Sequence, residues 1–236
     1  MYYIYKQDNL ELMKSLPDNH INLIYCDILY GTGRNFGDYQ DLKANRKIIE
    51  EHYISRIIEM KRILSKRGRI FVQCDYHINH WIRCILDDIF GYENLTNEII
   101  WCYRGGGVSH RGFANKHDTI YSYEKEYKSS TYNAQYSEYS ESSKKLIKDN
   151  SGKSIDGKER DVERGCHMND WWTDINSLQT WSPERLKYGT QKPKELLKRI
   201  ILSSSNKGDL IGDFYMGSGT TGEVALENGR NFIGCD

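Results

Sequence analysis

Asp213-Phe214-Tyr215-Met216-Gly217-Ser218-Gly219-Thr220-Thr221-Gly222 is the stretch whose reading decides the fold. The apolar pair Leu210-Ile211 precedes it and Glu223-Val224-Ala225-Leu226, a helix-forming run, follows. That order of strand, glycine turn and helix makes a G-x-G-x-x-G a nucleotide-binding signal. Glycines admit φ > 0 and close backbone approach, so the turn can cradle a ligand at a helix N-terminus. A dinucleotide-binding domain opens with this turn and builds its other strands afterwards. Only the residues up to Asp236 follow it in this chain. The remaining strands must come from earlier sequence, which predicts a fold of permuted order.

The upstream pattern supplies those strands. Residues 2–5 and 21–26 read as short strands around a helix from Leu10 to Leu16 that Pro17 ends. Ile21-Asn22-Leu23-Ile24-Tyr25-Cys26 is mostly apolar, as a strand covered on both faces should be. After the Gly31–Gly37 loop, Ile49, Tyr53, Ile57, Met60 and Leu64 recur at helical spacing over Arg46 to Leu64. Gly68 is expected to break that helix before a strand over residues 70–74, and residues 80–90 form another amphipathic helix closed by Gly91. Residues 99–103 and 119–123 read as an antiparallel strand pair, and Lys194 to Leu202 and Leu210 to Phe214 as a helix and a strand. Alternating strands and helices predict an α/β fold with a mostly parallel sheet.

From about residue 127 to Asn169 the chain is rich in Tyr, Ser, Lys and Asp and poor in aliphatic residues, which suggests an insertion into a single domain spanning 1–236. Charge is balanced, 33 basic against 33 acidic residues, so bulk charge does not decide the partner. Local charge says more. Arg104, Arg111 and Lys116 lie between Trp101 and His117 with no acid among them, in a glycine-rich loop that can touch phosphates or read guanine edges. The same stretch also fits a plain solvated loop. Trp171-Trp172 suits packing better than base contact. No apolar run approaches the ~18 residues that span a membrane, and Met1-Tyr2-Tyr3-Ile4 is not a signal peptide. Six cysteines without a C-x-x-C pair fit reduced thiols in a cytoplasm. The His77-x-x-His80 pair lacks a third ligand, so no metal is expected.

A second constellation, Cys26-Asp27-Ile28-Leu29-Tyr30-Gly31, stands where the strand of residues 21–26 ends. Ligands of open α/β sheets bind beyond the carboxyl ends of strands. An acid followed three residues later by an aromatic suits an extruded base, the carboxylate accepting from an exocyclic amine and the ring stacking on the base face. Alone, the segment fits a capping Asp and a half-buried Tyr in a glycine turn better than that role.

Together with the 213–222 turn, it resembles the β-group of S-adenosylmethionine-dependent DNA amino-methyltransferases, over nearly the whole chain. In that family the catalytic motif precedes the cofactor motif and a target-recognition region lies between them. Asp27-Ile28-Leu29-Tyr30 stands at the D-P-P-Y position, and Asp213-Phe214-Tyr215-Met216-Gly217-Ser218-Gly219-Thr220-Thr221 at D-P-F-x-G-S-G-T-T. Thr190-Gln191-Lys192-Pro193 matches T-Q-K-P, and Lys116-His117-Asp118-Thr119-Ile120 another recurrent segment. Asp8 matches an acid near the cofactor adenine, and Asp236 the acid that holds the ribose hydroxyls.

The resemblance implies a Rossmann-like methyltransferase fold with circularly permuted motif order, and a target-recognition region inserted at roughly 127–180. It implies S-adenosylmethionine as cofactor, held by Asp8, Asp27, Lys192, Asp213, Phe214, Gly217, Ser218, Gly219, Thr220, Thr221 and Asp236. Asp27, the Ile28 carbonyl and Tyr30 would act on the N6 amine of an adenine flipped from duplex DNA, with Arg104, Arg111 and Lys116 on the DNA. A bacterial, nucleoid-associated cytoplasmic setting follows, with a cognate restriction enzyme and a homodimer left open as partners. Asp at the first motif position points to adenine N6, since cytosine-N4 members usually begin with Ser. Three other readings stay open: a cytosine-N4 enzyme, a catalytically weakened binding protein of the same fold, and a nicotinamide-dependent dehydrogenase, which the C-terminal turn disfavours. Ile28 and Leu29 replace both prolines of the motif and Phe214 the proline of the cofactor element. Without proline's fixed φ, the 27–30 loop is expected to be less rigid.

Overall fold

The computed structural model describes every residue except 38, 106–108, 150, 151, 154–158 and 187. Strand β1 (Tyr2–Tyr5) is followed by α1 (Asn9–Ser15), β2 (Ile21–Asp27), α2 (Arg46–Ile63), β3 (Leu64–Cys74), α3 (Asn79–Phe90), β4 (Leu95–Cys102) and β5 (His117–Glu124). Next come β6 (Tyr136–Ser137), α4 (Glu141–Asp149) and β7 (Cys166–His167), then β8 (Trp171–Trp172), α5 (Lys194–Ser204), β9 (Leu210–Asp213), α6 (Thr220–Glu227) and β10 (Asn231–Cys235). The chain divides into two compact units. One comprises Met1–Tyr132 with Asp170–Asp236, and the other is Asn133–Asn169.

The larger unit is built on an eight-stranded sheet in the order β1-β10-β9-β2-β3-β5-β4-β8. From β1 to β3 all neighbours are parallel, while β5 runs antiparallel to both β3 and β4. Apolar stripes settle which helices cover it. Ile49, Tyr53, Ile57, Met60 and Ile63 form the buried stripe of α2, which packs with Leu12 and Met13 of α1 and Ile82 and Leu86 of α3 over one face. Leu196, Leu197, Ile200 and Ile201 of α5 and Val224 and Ala225 of α6 cover the other. Covered on both faces, β2 is apolar throughout its middle, as burial requires.

The permuted order has a plain physical form. Strand β9 slots between β10 and β2, with Ile24 opposite Gly212 and Leu23 opposite Ile211. The carboxyl ends of β2 and β9 therefore lie side by side, and they deliver Asp27 and Asp213 to the same edge of the sheet. One boundary differs from the sequence expectation. Helix α2 ends at Ile63 and β3 starts at once, with Gly68 inside the strand rather than at the break. A buttress accounts for the early stop. Lys125 Nζ donates to the carbonyls of Arg62 (3.0 Å) and Leu64 (2.6 Å), so the last turn is capped by a side chain rather than by glycine.

In the smaller unit, β6 and β7 pair antiparallel, and α4 lines a cavity of about 880 Å³ together with Tyr136, Tyr139, Arg160, Arg164 and His167. Trp171 and Trp172 belong to the larger unit, where β8 extends the sheet alongside β4. Trp172 is buried and Trp171 exposed.

Candidate active site

The glycine turn leaves β9 at Asp213. The Asp213 carboxylate ties the turn to itself, accepting from the Tyr215 amide at 3.0 Å and from the Thr221 hydroxyl at 2.6 Å. Burial, with Asp27 and Asp236 nearby, pushes its pKa up to about 7 against the pull of those two bonds. Gly217 (φ +49°) and Gly219 (φ +78°) occupy the left-handed region that glycine tolerates best. Gly219 caps α6 without any side chain, so the helix start is presented bare. Gly222 serves differently, since a Cβ there would stand 2.8 Å from the Phe232 ring. Asp236, just beyond β10, accepts from the Gly217 amide at 3.2 Å. Phe214, at the proline position, is a core residue.

This turn and the 27–30 loop wall one cavity of about 160 Å³. Asp27, Ile28, Tyr30, Lys192, Asp213, Gly217, Ser218, Thr220, Thr221 and Asp236 all line it, with Asp41 and the rings of Tyr25, Phe36, Tyr39, Tyr188 and Tyr215. Lys192, ahead of α5, forms an ion pair with Asp27 Oδ2 and sits 5.2 Å from the centre of the Tyr30 ring. Burial raises Asp27 above the usual carboxylate range despite Lys192. Burial would lower the Lys192 ammonium, but the charges of Asp27 and Asp118 overcome it and hold Lys192 above its usual range.

Tyr30 shares more than a ring with the site. Its hydroxyl lies 2.7 Å from Asp27 Oδ1 and 2.7 Å from Asp118 Oδ2. Gln73 donates to Asp118 Oδ2 at 2.7 Å and Tyr103 to Asp118 Oδ1 at 3.0 Å, while Tyr25 donates to Gln73 Oε1 at 2.8 Å. On the far side of Tyr30 and Lys192 lies a second cavity of about 220 Å³, walled by Trp101, Tyr103, Asp118, Arg185 and Tyr188. Sequence reasoning missed Gln73, Tyr103 and the role of Asp118. A signal was present: Gln73 interrupts an apolar strand, and a buried amide must find partners.

The loop without prolines is not loose. Ile28 is buried in the core, its amide donates to the Gln73 carbonyl at 3.2 Å, and the Leu29 carbonyl accepts from the Tyr53 hydroxyl at 3.0 Å. Packing and two hydrogen bonds supply the restraint that ring closure supplies elsewhere.

Asp8 is the N-cap of α1, accepting from the Leu10 amide, and it pairs with Arg56 at 2.9 Å. It is not among the residues lining the cavity. Its neighbour Asn9 donates to the Phe214 carbonyl at 2.9 Å, which fixes α1 against the cofactor turn. Arg104 and Arg111 are exposed, Lys116 is half-buried, and Phe113 between them is fully exposed at 101%. Gly106, Gly107 and Val108 of this loop fall outside the described residues. His77 Nδ1 is 2.7 Å from Asp75 Oδ2.

A permuted, mostly parallel sheet with an acid loop and a glycine turn on one cavity is the arrangement of a Rossmann-like methyltransferase. Residues 21–236 match the DNA methylase family model, and the chain belongs to that family. It is 29% identical to the DNA adenine methyltransferase YhdJ of Escherichia coli (strain K12), over 97% of this chain and 76% of that one. It is 28% identical to the type II methyltransferase M.HpaI of Haemophilus parainfluenzae, over 96% of this chain and 67% of the relative. In structure it is similar to the cytosine-N4-specific PvuII DNA methyltransferase, with a TM-score of 0.68 and 15% identity over 100% of this chain and 83% of that one. No helix among the described residues is long and apolar enough to cross a membrane.

Proposed function

We propose that this chain transfers a methyl group from S-adenosylmethionine to the N6 amine of adenine in a specific duplex DNA sequence. The observation that carries the reading is the single cavity on which Asp27, Ile28 and Tyr30 meet the glycine turn. The cavity suits the cofactor's chemistry. Asp27, Asp41, Asp213 and Asp236 line it against one described cation, Lys192, which fits a sulfonium and an ammonium, and its rings fit a nucleoside. The bare start of α6 and the Gly217–Gly219 backbone would hold the nucleoside, Asp236 the ribose hydroxyls and Lys192 the carboxylate. When bound, the cofactor supplies an electrophilic methyl group on sulfur.

The protein's own residues then act on the base. The exocyclic amine of adenine is a weak nucleophile because its lone pair is delocalised into the ring. Asp27 and the Ile28 carbonyl accept its hydrogens, favour the pyramidal form and aim the lone pair. Tyr30 stacks on the extruded base and offsets part of its unstacking cost. Positioning and matched electrostatics provide most of the acceleration. Adenine is favoured over cytosine by Asp at the first motif position, and the name of the Escherichia coli relative agrees.

Arg104, Arg111 and Lys116 lie along the DNA backbone, and the exposed Phe113 ring among them suits stacking on a base. The unit Asn133–Asn169, with its aromatic and basic lining, is the heart of the target-recognition region. In a bacterium such a protein works on the nucleoid in the cytoplasm, beside a restriction enzyme of the same specificity, and sedimentation tests whether it does so as a homodimer.

The test is transfer of labelled methyl groups to duplex DNA, followed by nucleoside mass spectrometry. N6-methyladenine is expected from the wild-type chain. None is expected from Asp27→Ala, which should still bind cofactor by calorimetry. N4-methylcytosine would overturn the base assignment, and wild-type turnover in Asp27→Ala would overturn the site.

A further inference from the structure

Asp118 lies in the Lys116-His117-Asp118-Thr119-Ile120 segment, to which the reaction so far gives no task. It stands near the start of β5, facing the site from the strand between β3 and β4. The residue is 2% exposed, with Tyr103 donating to one carboxylate oxygen and Gln73 to the other. The Gln73 amide is oriented by the Tyr25 hydroxyl on its oxygen, so its N–H groups must face Asp118.

The Tyr30 hydroxyl lies 2.7 Å from each of two carboxylate oxygens, Asp27 Oδ1 and Asp118 Oδ2. A phenol carries one proton, so it can satisfy one of them at a time. Burial and the two carboxylates push the Tyr30 phenol well above its usual range, so that proton stays on Tyr30. Asp27 is engaged on both oxygens, by Lys192 on Oδ2 and by Tyr30 on Oδ1. A carboxylate has about four acceptor sites, so a target amine can share Asp27 with these donors, and it is held more strongly when one of them turns away.

We propose that Asp118 is a positioning residue that serves as the second acceptor for the Tyr30 hydroxyl, drawing its proton away from Asp27 when the target amine arrives. The change is a rotation about one C–O bond of Tyr30. No heavy-atom bond breaks, no charge moves, and the ring plane that faces the base stays fixed between Lys192 and the second cavity. Asp27 Oδ1 exchanges a phenol donor for an amine donor, so the number of hydrogen bonds is conserved. The idea rests on the reading of Asp27 as the acceptor of the target amine.

The measurement is single-turnover methyl transfer at saturating cofactor for the wild-type chain, Asp118→Asn, Tyr30→Phe and the double variant, with cofactor affinity and melting temperature beside each. A neutral amide competes poorly with an ionised carboxylate for a proton donor, because charge-assisted bonds are about twice as strong. Asp118→Asn should therefore leave the hydroxyl on Asp27 and slow transfer by about tenfold or more, with cofactor affinity unchanged. Tyr30→Phe keeps the ring and removes the competing donor, so adding Asp118→Asn to it should cost less than about twofold. Asp118→Ser repeats the comparison with a smaller side chain should the amide variant not fold. Additive losses, or a wild-type rate in Asp118→Asn, would overturn the role of Asp118. Absence of transfer in the wild-type chain would instead overturn the proposed function.

Discussion

The three glycines of the cofactor turn are alike in sequence and unlike in space, so exchanging two of them for alanine should separate binding from stability. Gly219 sits at φ +78° on the open side of the turn, and a Cβ added there would find nothing within 4 Å. Alanine there meets no protein atom but must adopt the left-handed region, at roughly 1–2 kcal/mol. At Gly222, in the first turn of α6, alanine gains about 1 kcal/mol of helix propensity. Its Cβ would stand 2.8 Å from two atoms of the Phe232 ring and 3.0 Å from Tyr2, and overpacking of this kind costs about 1–3 kcal/mol. Both variants should thus melt a few degrees lower, since 1 kcal/mol shifts a chain of this size by roughly 2–4 °C. Affinity is where they part. In the proposed function the nucleoside lies against this backbone, so the Gly219→Ala methyl should weaken cofactor binding by about tenfold or more, ~1.4 kcal/mol. Gly222→Ala points at β10 and should leave affinity unchanged. Calorimetry with S-adenosylmethionine and thermal melts on both proteins decide it. Unchanged affinity in Gly219→Ala together with a loss in Gly222→Ala would refute the assignment of the turn's open side to the ligand.

Ile28→Pro should destabilise by about 1–3 kcal/mol because it orphans the Gln73 carbonyl, whereas Leu29→Pro should melt at or above the wild type; equal effects in denaturant titrations would contradict the hydrogen bond described at Ile28. The folded pKa of Asp213, about 7, lies above its ordinary 3.8, so its stabilising contribution is complete at low pH and lost as pH rises from about 4 to 7. Asp213→Asn keeps that contribution, and its stability relative to wild type should grow across that window by on the order of 4 kcal/mol at most. The comparison with wild type is needed because His52, held down to about 4 mainly by burial, loses stabilisation in the opposite direction as pH falls below 6.5. A difference between the two proteins that stays flat with pH would show that Asp213 ionises freely. Arg104→Ala with Arg111→Ala should lower the slope of log K against log salt by ~0.9 per lost phosphate contact, and an unaltered slope in DNA titrations would make the loop a bystander.

The permuted order of the sheet was legible because the glycine turn follows β1 to β8, but β10, which the sequence reading did not anticipate, comes after the turn and pairs between β1 and β9. The two halves of the cofactor cavity were legible because each is a contiguous run at the end of an apolar strand. The hydroxyl network was not. Tyr30 and Asp118 are 88 residues apart, and Gln73 and Asp118 are 45 apart, so only the pairing of β3 with β5 brings them together. Ile28 and Leu29 misled for a related reason. Their residue types speak of backbone freedom, while the bonds that remove it come from Gln73 and Tyr53, on other elements.

The place of β9 also bears on how the protein is made. Strands β9 and β10 fill the gap between β1 and β2, yet they are synthesised after every other strand of the sheet. At about 5–20 residues per second, a ribosome needs roughly ten to forty seconds to travel from the end of β2 to the start of β9. Throughout that interval β2 offers an open edge and β1 has no strand to pair with, since its partner is β10. Open apolar edges invite pairing with other chains, so the nascent protein depends on chaperones or on rapid completion. Asp27 likewise waits for the Gly217–Gly219 turn, so its cavity has only one wall until β9 and α6 have been made.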